Sequence, residues 1–186
     1  MNIIVISGTN RAGSMSLKVA QQCQQRLEAL GAQVTLINLQ DLPQSLFSPT
    51  VYKEKPAEFA PIQDQILNAQ GIVFVVPEYN GSFPGILKYF IDMWKYPDSF
   101  ENRCVAYIGV AAGAWGGLRA VEHLQGVMGY RNAFQFNERI FINRIYQRWD
   151  FETGELKKLD DKDLDLNELL DQQAVNFVQF CFAHQS

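Results

Sequence analysis

Three short runs of this sequence are apolar almost without a break. They are Ile3-Ile4-Val5-Ile6, Ile72-Val73-Phe74-Val75-Val76 and Cys104-Val105-Ala106-Tyr107-Ile108-Gly109-Val110. A strand with one wet face alternates apolar and polar residues. A strand buried on both faces does not, so these runs predict the centre of a parallel sheet covered on both sides. Val34-Thr35-Leu36-Ile37-Asn38-Leu39 and a more amphipathic stretch at 134–142 supply two further strands. The intervals between them carry helical spacing. One helix is expected from a cap at Ser14 or Ser16 to about Leu30, with Leu17, Ala20, Leu27 and Leu30 inward and Gly31 as its stop. A second covers 57–69 with Phe59, Ile62, Ile66 and Leu67 on one side and Gly71 as its stop. A third starts at Pro84 and ends near Tyr96-Pro97, a fourth covers 117–128, and a fifth covers 166–182 with Leu169, Leu170, Val175, Phe177, Val178 and Phe182 inward. Alternating strands and helices make right-handed βαβ units. The expected fold is α/β, a doubly wound five-stranded parallel sheet with helices on both faces, and 1–186 is expected to be a single domain. Its ligand belongs beyond the carboxyl ends of the strands, where the strand order reverses.

Charge narrows the partners. The net charge is −4, so nucleic acid is not the expected partner. The charge is unevenly spread: 150–171 carries nine Asp/Glu against three Lys, while the remainder is slightly basic. The acidic stretch is expected to be a surface excursion leading into, and capping, the last helix. Cys23, Cys104 and Cys181 are far apart and read as buried thiols. His123 and His184 have no partner at metal spacing and read as surface or capping residues, so no metal site is expected. The start of the chain lacks the basic segment of a leader, and no window reaches a membrane span, which gives a cytoplasmic expectation with no membrane partner.

Three loops follow strands that end at the expected crevice. Gly8-Thr9-Asn10-Arg11-Ala12-Gly13-Ser14-Met15-Ser16 joins the first strand to a helix start. Exposed N–H groups and the positive end of the helix dipole favour a phosphate there. Thr9, Ser14 and Ser16 add hydroxyls, and Arg11 adds a charged fork suited to phosphate oxygens. A plain capped helix start, with Arg11 in solvent, is the competing reading. The chain has neither GxxxxGK[ST] nor GxGxxG, which sets aside a P-loop kinase or GTPase and a Rossmann dinucleotide site. Pro77-Glu78-Tyr79-Asn80-Gly81-Ser82-Phe83-Pro84-Gly85 fixes a backbone path able to present N–H and C=O groups to a planar polar ring. An Asn-Gly turn with a packed Tyr is the alternative. Ala111-Ala112-Gly113-Ala114-Trp115-Gly116-Gly117 either admits a ligand close to the backbone, with Trp115 over it, or is a tight turn.

In this order these residues resemble the flavodoxin-like NAD(P)H-dependent FMN reductases, a family that includes quinone, chromate and azo-dye reductases. The first loop is similar to the family's GSxRxxS, the second matches PEYNxSxPG, and Gly116-Gly117-Leu118-Arg119-Ala120 is similar to GGxRA. The resemblance implies that Thr9, Arg11, Ser14 and Ser16 hold the FMN phosphate. It implies that Pro77, Glu78, Tyr79, Asn80 and Ser82 line the isoalloxazine, with Gly113, Trp115 and Gly116 on the third side. It further implies NADPH or NADH as co-substrate and ping-pong hydride transfer through FMN to a quinone-like, azo or flavin acceptor. A homodimer or homotetramer with the 84–96 helix near its interface is implied too; packing of that helix into its own core is the alternative. Thr9 stands where the family has Ser, and the tail after Ile142 matches nothing in the pattern.

Flavin chemistry needs no protein nucleophile, and the loops hold no nucleophile–base pair. No catalytic acid or base is therefore expected; Tyr79 and Trp115 are candidates for positioning only. The acceptor pocket is expected to be shaped partly by the 43–56 loop and partly by a neighbouring subunit. Arg139, Arg144 and Arg148 could reach a 2′-phosphate but read better as strand-edge or interface charges. Two other classes stay open: a flavodoxin-type electron carrier, disfavoured by Arg11 and by the weakly basic remainder, and a cofactor-free interaction domain.

Overall fold

The structure, a computed structural model, describes residues 1–184. Five strands form one parallel sheet: β1 (Asn2–Ser7), β2 (Gln33–Asn38), β3 (Gly71–Pro77), β4 (Cys104–Val110) and β5 (Phe134–Ile142). Their order is β2-β1-β3-β4-β5, so the order reverses between β1 and β3. β3 and β4 are buried at every position, as their unbroken apolar runs predict.

Helices cover both faces. Ile4, Ile6, Ile72, Phe74, Val76 and Tyr107 pack against α2 (Ala60–Asn68), α3 (Gly85–Asp92) and α4 (Leu118–Tyr130). Ile3, Val5, Val73, Val75, Ala106 and Ile108 pack against α1 (Met15–Ala29) and α6 (Leu166–Ala183). A one-turn helix, α5 (Ile145–Arg148), was not expected.

Several expectations about faces and stops are corrected. In α1 Ala20 and Leu27 are buried as expected, but the main buried row is Met15, Val19, Cys23 and Leu27, at i+4 spacing. Leu17 lies off that row and is only half-buried, and Leu30 is 43% exposed. In α6 the inward face is Leu166, Leu170, Gln173, Ala174, Phe177 and Cys181, while Leu169 and Phe182 are exposed. That helix is apolar nearly all round, which hides its true stripe. Gly31 ends α1 as expected: its φ is +84°, with Gly31 N–H donating to Glu28 O and Ala32 N–H to Leu27 O. Gly71 is not the stop of α2. It opens β3, where an added Cβ would sit 2.7 Å from Cys181 Sγ and 2.9 Å from the Phe177 ring, so its small size lets α6 lie on the sheet. α3 ends at Asp92, short of the expected Tyr96-Pro97, and Pro84 is its N-cap rather than a first-turn residue. Most apolar side chains of this helix go into its own core: Leu87, Phe90 and Ile91 are buried, and Tyr89 and Ile86 pack against them.

All three cysteines are free and buried, and burial pushes the Cys23 thiol up to about 12. Among the described residues no group of three or more His, Cys, Asp or Glu is placed to hold a metal ion, and no helix is long and apolar enough to cross a membrane.

The acidic stretch after β5 runs over the surface but is fastened to it. Asp165 caps α6, accepting from Asn167 N–H and Glu168 N–H. Gln22 donates to Gly154 O, Arg26 Nε pairs with Asp171 at 2.7 Å, and Leu156 is buried in a bridge to Trp149. Arg148 is no strand-edge charge: it is 5% exposed and grips Asp163 with both terminal nitrogens. The Arg148 guanidinium, followed by the Leu159 N–H, pulls the Asp163 carboxyl down to about 2 from its ordinary 3.8. A carboxyl depressed by folding stabilises above its unfolded pKa and loses that effect as pH falls through the folded one. The stability difference between the wild type and Asp163→Asn is therefore expected to be constant from neutrality to about pH 5 and to shrink progressively toward about pH 1. Chemical denaturation across that range measures it; a gap undiminished at about pH 2 contradicts the assignment.

Candidate functional site

β1 ends at Ser7, and Gly8 carries the chain out of the sheet toward α1. Gly8 N–H donates to Val75 O at 2.9 Å, and a Cβ on Gly8 would sit 2.9 Å from that same oxygen. Only glycine lets the exit run this close to β3. Thr9 follows, 1% exposed, its N–H returned to Ser7 O and its Oγ1 taking Arg11 N–H at 3.2 Å. Ser14 then caps α1, accepting Leu17 N–H on Oγ at 3.2 Å. The first N–H groups of α1 have no intrahelical partner. The loop's own hydrogen bonds leave the Arg11 guanidinium and the Ser16 hydroxyl uncommitted among the described residues. Beneath the loop, Ser7 Oγ is fully buried without a partner.

This loop opens into a cavity of about 240 Å³ between the ends of β1, β3 and β4. Arg11, Ser14 and Ser16 line one end, Pro77, Glu78 and Tyr79 one wall, and Val110, Ala111 and Ala112 the other. Thr9 supports the wall from below, its Oγ1 2.9 Å from Tyr79 Oη. Beyond Tyr79 the chain makes a tight turn in which Tyr79 and Ser82 exchange backbone hydrogen bonds at 2.8 and 3.1 Å. Asn80 and Gly81 take φ of +52° and +78°, the left-handed pair that an Asn-Gly turn requires. The loop is an Asn-Gly turn; its Pro77, Glu78 and Tyr79 border the cavity, whereas Asn80 and Ser82 lie outside that lining.

The third loop meets the cavity earlier than its glycines suggested. Ala111 and Ala112 line it; Gly113, Trp115 and Gly116 lie further out, with Trp115 74% exposed. Gly116 serves packing: its φ is +60°, and a Cβ would lie 2.7 Å from the Phe141 backbone.

Two neighbours escaped the sequence reading. Tyr146, on the unexpected α5, lines the same cavity. Nothing in its surroundings marks it, because the tail lacks a recognisable motif. His123, expected as a surface or capping residue, is exposed but tethers the second loop, its Nδ1 2.9 Å from Ser82 Oγ. Only the three-dimensional approach of α4 to that turn reveals it.

An N-terminal helix end with spare N–H groups, hydroxyls and a guanidinium suits a phosphate. The cavity lies at the switch point of a 2-1-3-4-5 sheet. The fold is flavodoxin-like, and the donor set fits the phosphate of FMN.

Comparison with known proteins gives the family. Residues 1–147 match the model of the NADPH-dependent FMN reductases. A quinone reductase of Escherichia coli K12 is 31% identical over 161 residues, covering 84% of this chain and 85% of that protein. An NAD(P)H-dependent FMN reductase of Pseudomonas aeruginosa is 30% identical over 177 residues, covering 93% of this chain and 91% of that protein. Among solved structures, the flavoenzyme NAD(P)H:(acceptor) oxidoreductase FerB of Paracoccus denitrificans superposes with a TM-score of 0.79 at 22% identity, covering 98% of each chain. The chain belongs to the NADPH-dependent FMN reductase family. It is an FMN-dependent oxidoreductase with NAD(P)H as its reductant.

If Arg11 faces the phosphate, Arg11→Ala removes a charged hydrogen bond. The FMN Kd, read by quenching of flavin fluorescence, is then expected to rise by about 10- to 150-fold, that is about 1.5–3 kcal/mol. An unchanged Kd would remove Arg11 from the site.

Proposed function

We propose that the whole chain, 1–186, acts as one NAD(P)H-dependent quinone reductase unit, with azo compounds and free flavins as further acceptors and a ping-pong order. The observation that carries this is the loop after β1, whose Arg11 guanidinium and Ser16 hydroxyl are uncommitted among the described residues, opening directly into the cleft, with exposed Tyr79 on its wall. The relative named quinone reductase supports the acceptor class.

In this reading Thr9, Arg11, Ser14 and Ser16 hold the FMN phosphate, with the dipole of α1 behind them. Pro77, Glu78, Tyr79, Asn80 and Ser82 line the isoalloxazine. Gly113, Trp115 and Gly116 close the third side beyond Ala111 and Ala112. FMN held there would supply the two-electron hydride chemistry that links NAD(P)H to the acceptor. The protein's share is geometric: the turn at Asn80-Gly81 sets the wall, Thr9 holds Tyr79 against it, and the cleft stays open for dinucleotide and acceptor in turn. No side chain of the site serves as nucleophile or acid–base catalyst.

The working form is a homodimer or homotetramer. Tyr96 and Tyr130, 62% and 78% exposed, border a cleft of about 440 Å³ between α3 and α4, with Arg131 stacked 4.6 Å from the Tyr96 ring. This outer cleft supports an interface better than the α3 apolar residues do, since those face inward. A cytoplasmic location fits its use of NAD(P)H.

Stopped-flow mixing of the FMN-loaded protein with NADPH and with NADH tests the reading. The flavin is expected to bleach without acceptor, and a quinone to restore the colour; steady-state rates should give parallel double-reciprocal lines. Flavin that NAD(P)H cannot reduce directly would instead mark an electron carrier. Sedimentation of the same preparation as a monomer would remove the oligomer.

A further inference from the structure

We infer that Arg148 and Asp163 are positioning residues for the third loop of the flavin site, and that the acidic segment 150–171 is the brace that holds them. The inference rests on the assignment of that site to FMN.

Residues 111–114 form no regular structure, so their shape comes from what they bond. Three of their carbonyls accept from one short segment: Ala111 O from Ile145 N–H, Gly113 O from Arg144 N–H and Ala114 O from Asn143 Nδ2, each at 3.1 Å. Ala111 N–H returns to Ile142 O at 3.0 Å. The segment 143–145 is therefore the mould of the loop, and it also leads into Tyr146 on the cavity wall.

That mould does not hold itself. Arg144 has φ of +47°, a left-handed conformation that a residue with a Cβ resists. Arg148 closes over it: Nε donates to Asn143 O at 3.0 Å and to Asn143 Oδ1 at 2.8 Å. These bonds fix both the Asn143 backbone and the amide that reaches Ala114. A guanidinium this buried needs a carboxylate partner, and Asp163 supplies it, with Nη2 to Oδ1 at 3.0 Å. Asp163 is in turn set by Leu159 N–H at 2.8 Å, and Lys157 N–H donates to Arg148 O at 2.8 Å. The contacts thus run from the acidic segment through Asp163, Arg148 and Asn143 to the loop. Nε and both terminal nitrogens of Arg148 are all used, so lysine cannot substitute.

The apo forms of wild type, Asn143→Ala, Asp163→Asn and the double variant are titrated with FMN by fluorescence quenching. Apo melting temperatures and the visible spectrum of the bound flavin are recorded in parallel. Each single variant is expected to raise the Kd by about two- to tenfold and to shift the flavin absorption band. The double variant should fall short of the product of the two, because both act through one chain of contacts. Asp163→Glu should restore part of the loss. If Asp163→Asn does not fold, Asn143→Ala carries the test, since it cuts the contact to Ala114 and leaves the ion pair. Melting temperatures that fall while Kd and spectrum stay at wild-type values would reduce the pair to a staple of the surface segment and overturn the inference. Independent, multiplicative effects would overturn it as well. A wild type that takes up no FMN would overturn the cofactor assignment and this inference with it.

Discussion

The site depends on the point where the path of the chain across the sheet reverses. From β1 the chain passes through α1 on one face to β2, whereas from the adjacent β3 it passes through α3 on the other face to β4. No strand covers the exit, so a crevice opens there. Gly8 makes the exit feasible by bonding to Val75 O at a distance no side chain allows. The turn that follows delivers Thr9, Arg11 and the Ser14 cap to one spot, and it aims the N-terminus of α1 into the crevice. The second and third loops gain their meaning from this placement, since each ends a strand adjacent to the gap.

The central strands were legible because burial on both faces leaves a signature that a single sequence carries: β4 has the bounds its unbroken apolar run predicts, and β5 those of its amphipathic stretch. The loop after β1 was legible as a capped helix start lined by hydroxyls and Arg11, being local in sequence. Helix faces were less so. α6 carries apolar residues around most of its circumference, and its buried stripe includes Gln173, whose amide donates to the carbonyls of Tyr107 and Glu138 where the β4–β5 register shifts. A polar residue chosen to satisfy stranded carbonyls is invisible until the bulge is seen. Gly71 misled in the opposite direction, because its reason lies in Cys181 and Phe177, more than a hundred residues away. His123 belongs to the same class, since it acts on Ser82 across 41 residues; Tyr146 and Arg148 lie in the tail, where no motif marks them.

Charge distribution takes on a different sense in three dimensions. The acidic segment lowers the average charge of the chain, yet it is no acidic face around the cofactor of the kind an electron carrier would use. Several of its carboxylates have local structural duties: Asp165 caps α6, Asp163 holds Arg148, and Asp171 pairs with Arg26. Arg11 is the cation at the cavity end proposed for the phosphate, beside Ser14 and Ser16. The proposed division of labour is that of a flavoenzyme: the cofactor brings the redox chemistry, and the polypeptide brings the phosphate anchor, the walls of the cavity and an open side.

The account stands on that anchor, and the most direct measurement compares FMN with riboflavin, which has the same ring and ribityl chain without the phosphate. Calorimetric titration of the apo protein is predicted to give FMN an affinity at least about 100-fold above that of riboflavin, the effect of two or more charged hydrogen bonds at roughly 1.5–3 kcal/mol each. Equal affinities for the two would show that the loop after β1 does not hold the phosphate, and the placement of the flavin in this crevice would be wrong.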